Sequence, residues 1–153
     1  MKESKIYVQA QMLIRKPVDL VFRAFTDPAV TTNFWFTHST GILEEGKTVK
    51  WTWEMYAVST NVYVEELLDN RKLRIRWGDP STLVEFFFTP YEEGSTYVEI
   101  KNHGFVQTGE ELLHEINNNT GGFTTVLDGA KAFLEFGLKL NLIADKFPGI
   151  SKK

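Results

Sequence analysis

The sequence predicts an α+β fold in which a curved antiparallel sheet wraps around a long C-terminal helix, with two short helices after the first strand. Three observations predict it. Between Phe123 and Leu138 the apolar residues Phe123, Val126, Leu127, Ala130, Phe133, Leu134, Gly137 and Leu138 recur at helical spacing. Thr124, Asp128, Lys131, Glu135 and Lys139 fall largely on the opposite face, so this amphipathic helix needs a sheet to lie against. From Thr37 to His103 the period changes to two, as in a half-buried sheet. Ahead of that stretch, Pro17 and Asp27-Pro28 bracket a short helix.

Taken in order, Ile6 to Ile14 has strand character. Lys16-Pro17-Val18-Asp19 then places proline where a helix start tolerates its missing N–H. Val18, Val21, Phe22 and Phe25 share one face of the helix that follows, and Asp27-Pro28 ends it. A second short helical segment is expected to carry Asn33-Phe34-Trp35-Phe36, whose aromatic cluster plugs one end of the core. In the meander, turns are expected at Glu45-Gly46, Asp69-Asn70, Gly78-Asp79-Pro80 and Glu92-Glu93-Gly94. Val49, Trp51, Trp53 and Met55 alternate with polar residues, as do Leu73, Ile75 and Trp77. Val84, Phe86, Phe88, Val98 and Ile100 continue the inward face, with Phe87 on the outer parity. Gly109 to Asn119 has helical character through Leu112, Leu113 and Ile116. Asn117-Asn118-Asn119-Thr120-Gly121-Gly122 is a poor helix interior, so a break or cap is expected there. The tail after Leu142 is expected to be loosely ordered.

Length and composition bound the function. The 153 residues, 1–153, fit one domain with one core. Twelve Phe, five Tyr and four Trp make an unusually aromatic chain, able to fill a core or line a pocket. A net charge of −3, with Lys and Arg scattered, lacks the basic footprint of a nucleic-acid binder. The absence of cysteine excludes disulfides, thiolate metal sites and a Cys nucleophile. The polar start and the lack of any stretch near the ~20 apolar residues of a membrane span lead to the expectation of a cytoplasmic protein.

The order strand, two short helices, meander, long helix resembles the helix-grip arrangement of the START-like (SRPBCC) superfamily, which includes polyketide cyclases, pollen allergens and lipid-transfer domains. More narrowly, the chain resembles the homologues of the activator of the ninety-kilodalton heat-shock-protein ATPase. The likeness rests on Lys16 to Pro28, the pair Phe34-Trp35, the turn Leu43-Glu44-Glu45-Gly46-Lys47, and Val64-Glu65-Glu66-Leu67 with Lys72-Leu73. Asn102-His103-Gly104-Phe105 and Gly122-Phe123 complete it, so that it spans roughly residues 6 to 138. Phe123 stands where that family usually carries Trp, and Asn102 where it often carries His. The resemblance implies the fold, a cavity between sheet and helix, and a possible chaperone partner or homodimer.

Small Ala130 and Gly137 in the helix stripe are expected to hold that cavity open. Its expected walls are Trp35, Trp51, Trp53, Trp77, Phe86 and Phe88 from the sheet side, and Phe123, Leu127, Ala130 and Leu134 from the helix. Each of these is equally a core residue by type. Asn102 either bonds a ligand carbonyl or bonds backbone near a strand end. His38, His103 and His114 have no metal-ligand spacing, Ser39, Ser59, Ser81 and Ser95 sit in no nucleophile turn, and Glu65-Glu66 and Glu92-Glu93 diverge across a strand. No metal and no cofactor is expected. The leading expectation is binding of an apolar or aromatic small molecule. The alternatives are a cofactor-free cyclase- or aromatase-type enzyme that lacks an obvious base, and a chaperone-associated docking domain using Tyr63 and Phe87.

Overall fold

A computed structural model describes residues 6–149, so expectations for the first five residues and for 150–153 lie outside the described residues. Strands β1 (Val8–Ile14), β2 (His38–Ser39), β3 (Thr48–Trp53), β4 (Val58–Leu68), β5 (Lys72–Trp77), β6 (Thr82–Tyr91) and β7 (Ser95–His103) form one seven-stranded sheet. Its order is β1-β7-β6-β5-β4-β3-β2, and the pairings are antiparallel. The chain therefore closes on itself. β1 pairs with the last strand, Val8 opposite Asn102 and Ile14 opposite Thr96, while β2 is joined to β3 by a longer loop and β3 to β7 follow one another by short connections.

Helix α1 (Val18–Thr26) buries Val21, Phe22 and Phe25 as its spacing requires, and Asp27 ends it. The Asp27 carboxylate then accepts from the Ala29 N–H at 2.9 Å, capping α2 (Pro28–Thr31). This second helix is placed earlier than the sequence led us to expect. Asn33 to Phe36 follow it as turn and bend, because the Asn33 amide folds back onto the Ala29 and Val30 carbonyls and stops the helix. Phe34, Trp35 and Phe36 are nonetheless buried at one end of the core. Met55, expected in β3, lies in a 3-10 turn over Glu54–Tyr56.

Helix α3 (Gly109–Phe136) runs unbroken for 28 residues, correcting the expected break near Asn117 to Gly122. The polar side chains that argue against helix there bond back to it. Asn119 Nδ2 donates to Glu115 O at 2.8 Å, Thr120 Oγ1 to Ile116 O at 2.6 Å, and Thr125 Oγ1 to Gly121 O at 2.8 Å. The helix ends sooner than the stripe implies. Gly137 is the C-cap with φ of 68°, a left-handed conformation that suits glycine, and Leu138 beyond it is 53% exposed.

Among the strands, α3 lies closest to β1. Lys131 Nζ donates to Leu13 O at 2.7 Å and to Glu135 at 2.6 Å, while Glu135 accepts from the Arg15 N–H at 2.7 Å, so three groups rivet the helix to that edge. Opposite, β3 to β5 approach the helix through large side chains rather than through backbone. Trp35, Trp77 and Phe123 bridge the gap, with ring centroids 5.8 to 6.2 Å apart. The tail is not loose over its described length. α4 (Leu142–Asp145) is held by the Tyr56 hydroxyl, which donates to Ile143 O, and Phe147 packs edge-on against the Tyr56 ring.

Candidate functional site

Where the sheet departs from α3, it leaves a cavity of about 680 Å³. The sheet supplies Trp53, Val58, Thr60, Trp77 and Thr82. The turn Gly78-Asp79-Pro80 and the loop residues Phe105 and Gln107 close one side. Ile143, Lys146 and Phe147 of the C-terminal segment close another together with Tyr56, which bonds that segment.

The helix contributes Glu115, Asn118, Asn119, Gly122, Phe123 and Val126. These residues recur three, four, seven, eight and eleven positions on from Glu115, which is one face of an α-helix. That face grades from charged through amide to apolar. Gly122 makes the opening, since a Cβ built there meets nothing within 4 Å. By contrast Gly129 is a packing glycine, its missing Cβ lying 3.3 Å from Phe34 Cβ.

Of the residues singled out from sequence, Trp35, Trp53, Trp77 and Phe123 border this cavity. Trp51, Phe86, Phe88, Leu127 and Ala130 do not; they are buried core, Trp51 stacking on Phe36 at 4.4 Å. Leu134 packs, partly buried, against the same core away from the cavity. The small residue that opens the space is therefore Gly122, while Ala130 is fully buried and Gly137 caps the helix. Asn102, wholly buried, donates through Nδ2 to Leu83 O and to Thr82 Oγ1, each at 3.0 Å. A carbonyl only accepts, so Leu83 fixes the amide's orientation and leaves Asn102 Oδ1 without a donor.

Glu115, Asn118, Asn119, Asp79, Gln107, Tyr56 and the C-terminal residues were not singled out from sequence. The helix set was legible as a graded stripe once read across the asparagine and glycine run. The tail and loop residues carry no periodic signal. Burial raises the Tyr56 hydroxyl above its ordinary pKa, assisted by the Asp145 charge and opposed by the Phe147 backbone. Tyr56 thus stays protonated and donating at neutral pH. On the outer face, hydrogen bonds and charge from Arg76 and then Arg74 hold Glu65 below its ordinary pKa despite opposing desolvation. Phe87 lies under the ammonium groups of Lys72 and Lys101, 5.5 and 5.6 Å from its centroid, and Tyr63 is 43% exposed. Among the described residues no three His, Asp or Glu side chains form a metal-ligand group, and no helix is long and apolar enough to cross a membrane.

The family model of Activator of Hsp90 ATPase homolog 1-like protein matches residues 15–135. The chain belongs to this family. Among solved structures, protein SSP2350 from Staphylococcus saprophyticus is similar at a TM-score of 0.79 and 27% identity, over 88% of this chain and 96% of that one. The Aha1 homologue from Colwellia psychrerythraea, solved as a dimer, has a TM-score of 0.72 at 17% identity over 86% and 98%. DynU16, a putative protein of the dynemicin biosynthetic locus, has a TM-score of 0.79 at 18% identity, over 89% of this chain and 49% of its own. The latter two likenesses are of fold. No curated protein matches the chain. For this member of the Hsp90-ATPase-activator homologue family, the cavity between sheet and α3 is thus built on a helix-grip frame.

Proposed function

We propose that this protein binds a ring-bearing, largely apolar small molecule in the cavity between α3 and the β3 to β5 side of the sheet. The observation that carries the reading is a space of about 680 Å³ walled by Trp35, Trp53, Trp77, Phe105 and Phe123, with Gly122 leaving its helix side open. A volume of that size lies within the ~300–1,000 Å³ of small-molecule sites, and aromatic walls with a few polar groups are their usual lining. Flat rings stack on such walls with favourable edge and face contacts. Native mass spectrometry of freshly purified protein and titration with an environment-sensitive apolar dye test the reading. A retained small molecule, or saturable stoichiometric dye binding that changes tryptophan fluorescence, supports it. Dye binding confined to partly denaturing conditions refutes it.

A second reading, a cofactor-free cyclase- or aromatase-type enzyme, has one observation in its favour. Glu115 and Asp79 are among the residues that line the cavity, and a carboxylate from either could serve a bound substrate as proton acceptor. A retained molecule that changes mass on incubation with the protein, and stops changing in Glu115→Gln and Asp79→Asn, distinguishes this reading from simple binding.

A further inference from the structure

We infer that the cavity takes a ligand whose polar end is a protonated amine, so that the bound molecule is an organic ammonium on an apolar or aromatic body. The inference rests on the cavity being a ligand site and adds the charge of its occupant. Three charged side chains border the space: Asp79, Glu115 and Lys146. They are not equivalent. Lys146 directs its ammonium across α3, where Nζ lies 3.2 Å from Thr125 Oγ1 and would lie 3.3 Å from a Cβ on Gly121. Neither Thr125 nor Gly121 borders the cavity, so Lys146 lends the wall its aliphatic stem while its ammonium, unpaired by any carboxylate among the described residues, is turned toward α3.

Glu115 is part-buried and Asp79 exposed, and among the described residues neither carboxylate is drawn off by a protein cation. Neither Asp79 nor Glu115 has an ion-pair partner among the described residues, whereas Glu65, Glu66, Glu85 and Glu135 do. The neutral groups of the lining can both donate and accept. Asn119 has committed Nδ2 to the Glu115 carbonyl, and Gln107 Oε1 is buried without a donor. Just behind the wall, Asn102 Oδ1 is also buried without a donor, its Nδ2 bonded to cavity-lining Thr82. Two carboxylates against one ammonium leave the wall negative on balance. Its remaining surface is aromatic, and ring faces attract cations electrostatically as well as packing against apolar carbon. A carboxylate ligand would meet Asp79 and Glu115 as like charges, with the single ammonium of Lys146, turned toward Thr125, as its one opposite charge in the lining.

The test compares three probes that share one naphthalene body and differ in their polar end: 1-naphthylmethylamine, 1-naphthylmethanol and 1-naphthylacetate. Each is titrated into the intact protein at neutral pH, by calorimetry and tryptophan quenching, at low and high salt. The amine is expected to bind about tenfold tighter than the carboxylate, with the alcohol between, and its advantage should shrink with salt. In Glu115→Gln or Asp79→Asn the amine-to-alcohol affinity ratio should fall by about threefold, a ratio that a loss of folding or packing would not select. Equal or tighter binding of the carboxylate overturns the inference while leaving the cavity as a binding site. So does an amine-to-alcohol ratio that neither variant moves. Failure of all three probes to bind removes the binding site itself and the inference with it.

Discussion

The hydroxyl of Tyr56 donates to the carbonyl of Ile143, across 87 residues of chain, and so ties the C-terminal segment to the rim of the sheet. Ile143, Lys146 and Phe147 of that segment form part of the cavity wall, so this contact holds the wall, together with Phe147 on the Tyr56 ring and Lys146 Nζ on Thr125 Oγ1. Replacing Tyr56 by Phe keeps the ring packing against Phe147 and deletes the hydrogen bond. A bond of this kind contributes about 1 kcal/mol, which corresponds to roughly fivefold faster local opening. Hydrogen exchange at the Asp145 and Lys146 amides, which bond Asn141 and Leu142 carbonyls, should accelerate by about that factor while β6 and β7 stay unchanged. Uniform acceleration across the sheet would show that Tyr56 supports the whole fold and not the wall.

How much of this could be read from the chain divides by physical cause. β3, β5, β6 and β7 follow from alternation because each buries one face, as Leu73, Ile75, Val98 and Ile100 do at 0% exposure. α1 follows from Pro17 and Asp27-Pro28, whose backbone limits act locally. The continuity of α3 through Asn117 to Gly122 does not follow from propensity, since it depends on Ile116 and Phe123 packing on the core at either side, with Asn119, Thr120 and Thr125 turning their polar groups onto the helix's own carbonyls and a cavity that needs no side chain at Gly122. Propensity treats a glycine as a weak link, and here the glycine is shape. Trp53 and Trp77 were legible as inward-facing, but nothing in their type separates them from Trp51 two residues before Trp53. The difference is position: Trp51 lies sandwiched among Phe36, Trp35 and Trp53, whereas Trp53 and Trp77 stand where the helix has drawn away.

Ala130 is fully buried on the face of α3 that meets the core. Ala130→Phe should therefore lower stability by roughly 1–3 kcal/mol through overpacking. A thermal melt measures it. For a domain of this size about 2 kcal/mol corresponds to a fall of several degrees, and dye affinity, referred to the folded fraction, should change little. Abolished binding at an unchanged melting temperature would place Ala130 on the cavity after all.

Glu135 supplies a pH dependence whose sign follows from its surroundings. Burial acts to raise its pKa, but the Arg15 N–H and the hydrogen bond and charge of Lys131 outweigh it, so the folded pKa lies below the ordinary value. A depressed carboxylate adds stability that is complete above its unfolded pKa and is lost as pH falls through the folded one. Stability should thus decline on acidification below the ordinary carboxylate range, and Glu135→Gln should flatten that decline. At neutral pH the same variant should cost about 1–3 kcal/mol, because Lys131 and the Arg15 N–H lose a charged partner. Denaturant melts of both proteins across pH 3 to pH 7, a span of about four units around the carboxylate range, measure both effects. An identical slope in the two proteins would assign the acid sensitivity elsewhere.

Gly122 separates a cavity that matters from one that is merely present. Its Cβ direction is open, its φ is not in the left-handed region, and it sits inside α3, so a side chain there meets no backbone obstacle. Gly122→Ala should stabilise the helix by about 0.5–1 kcal/mol, since glycine is the poorer helix former and nothing must move. Gly122→Leu should gain a similar helix contribution while its side chain extends between Phe123, Trp77 and the sheet wall. The leucine variant is therefore expected to melt no lower than the parent and to lose dye or ligand binding by tenfold or more, as an approximate figure for a blocked pocket. That combination cannot come from a destabilised protein, because loss of binding and retained stability are read on the same sample. If Gly122→Leu binds as the parent does, the occupied volume lies toward Tyr56 and Phe147, away from the helix. If it melts well below the parent, Gly122 is a close-packing glycine and the open space beside it does not exist in solution.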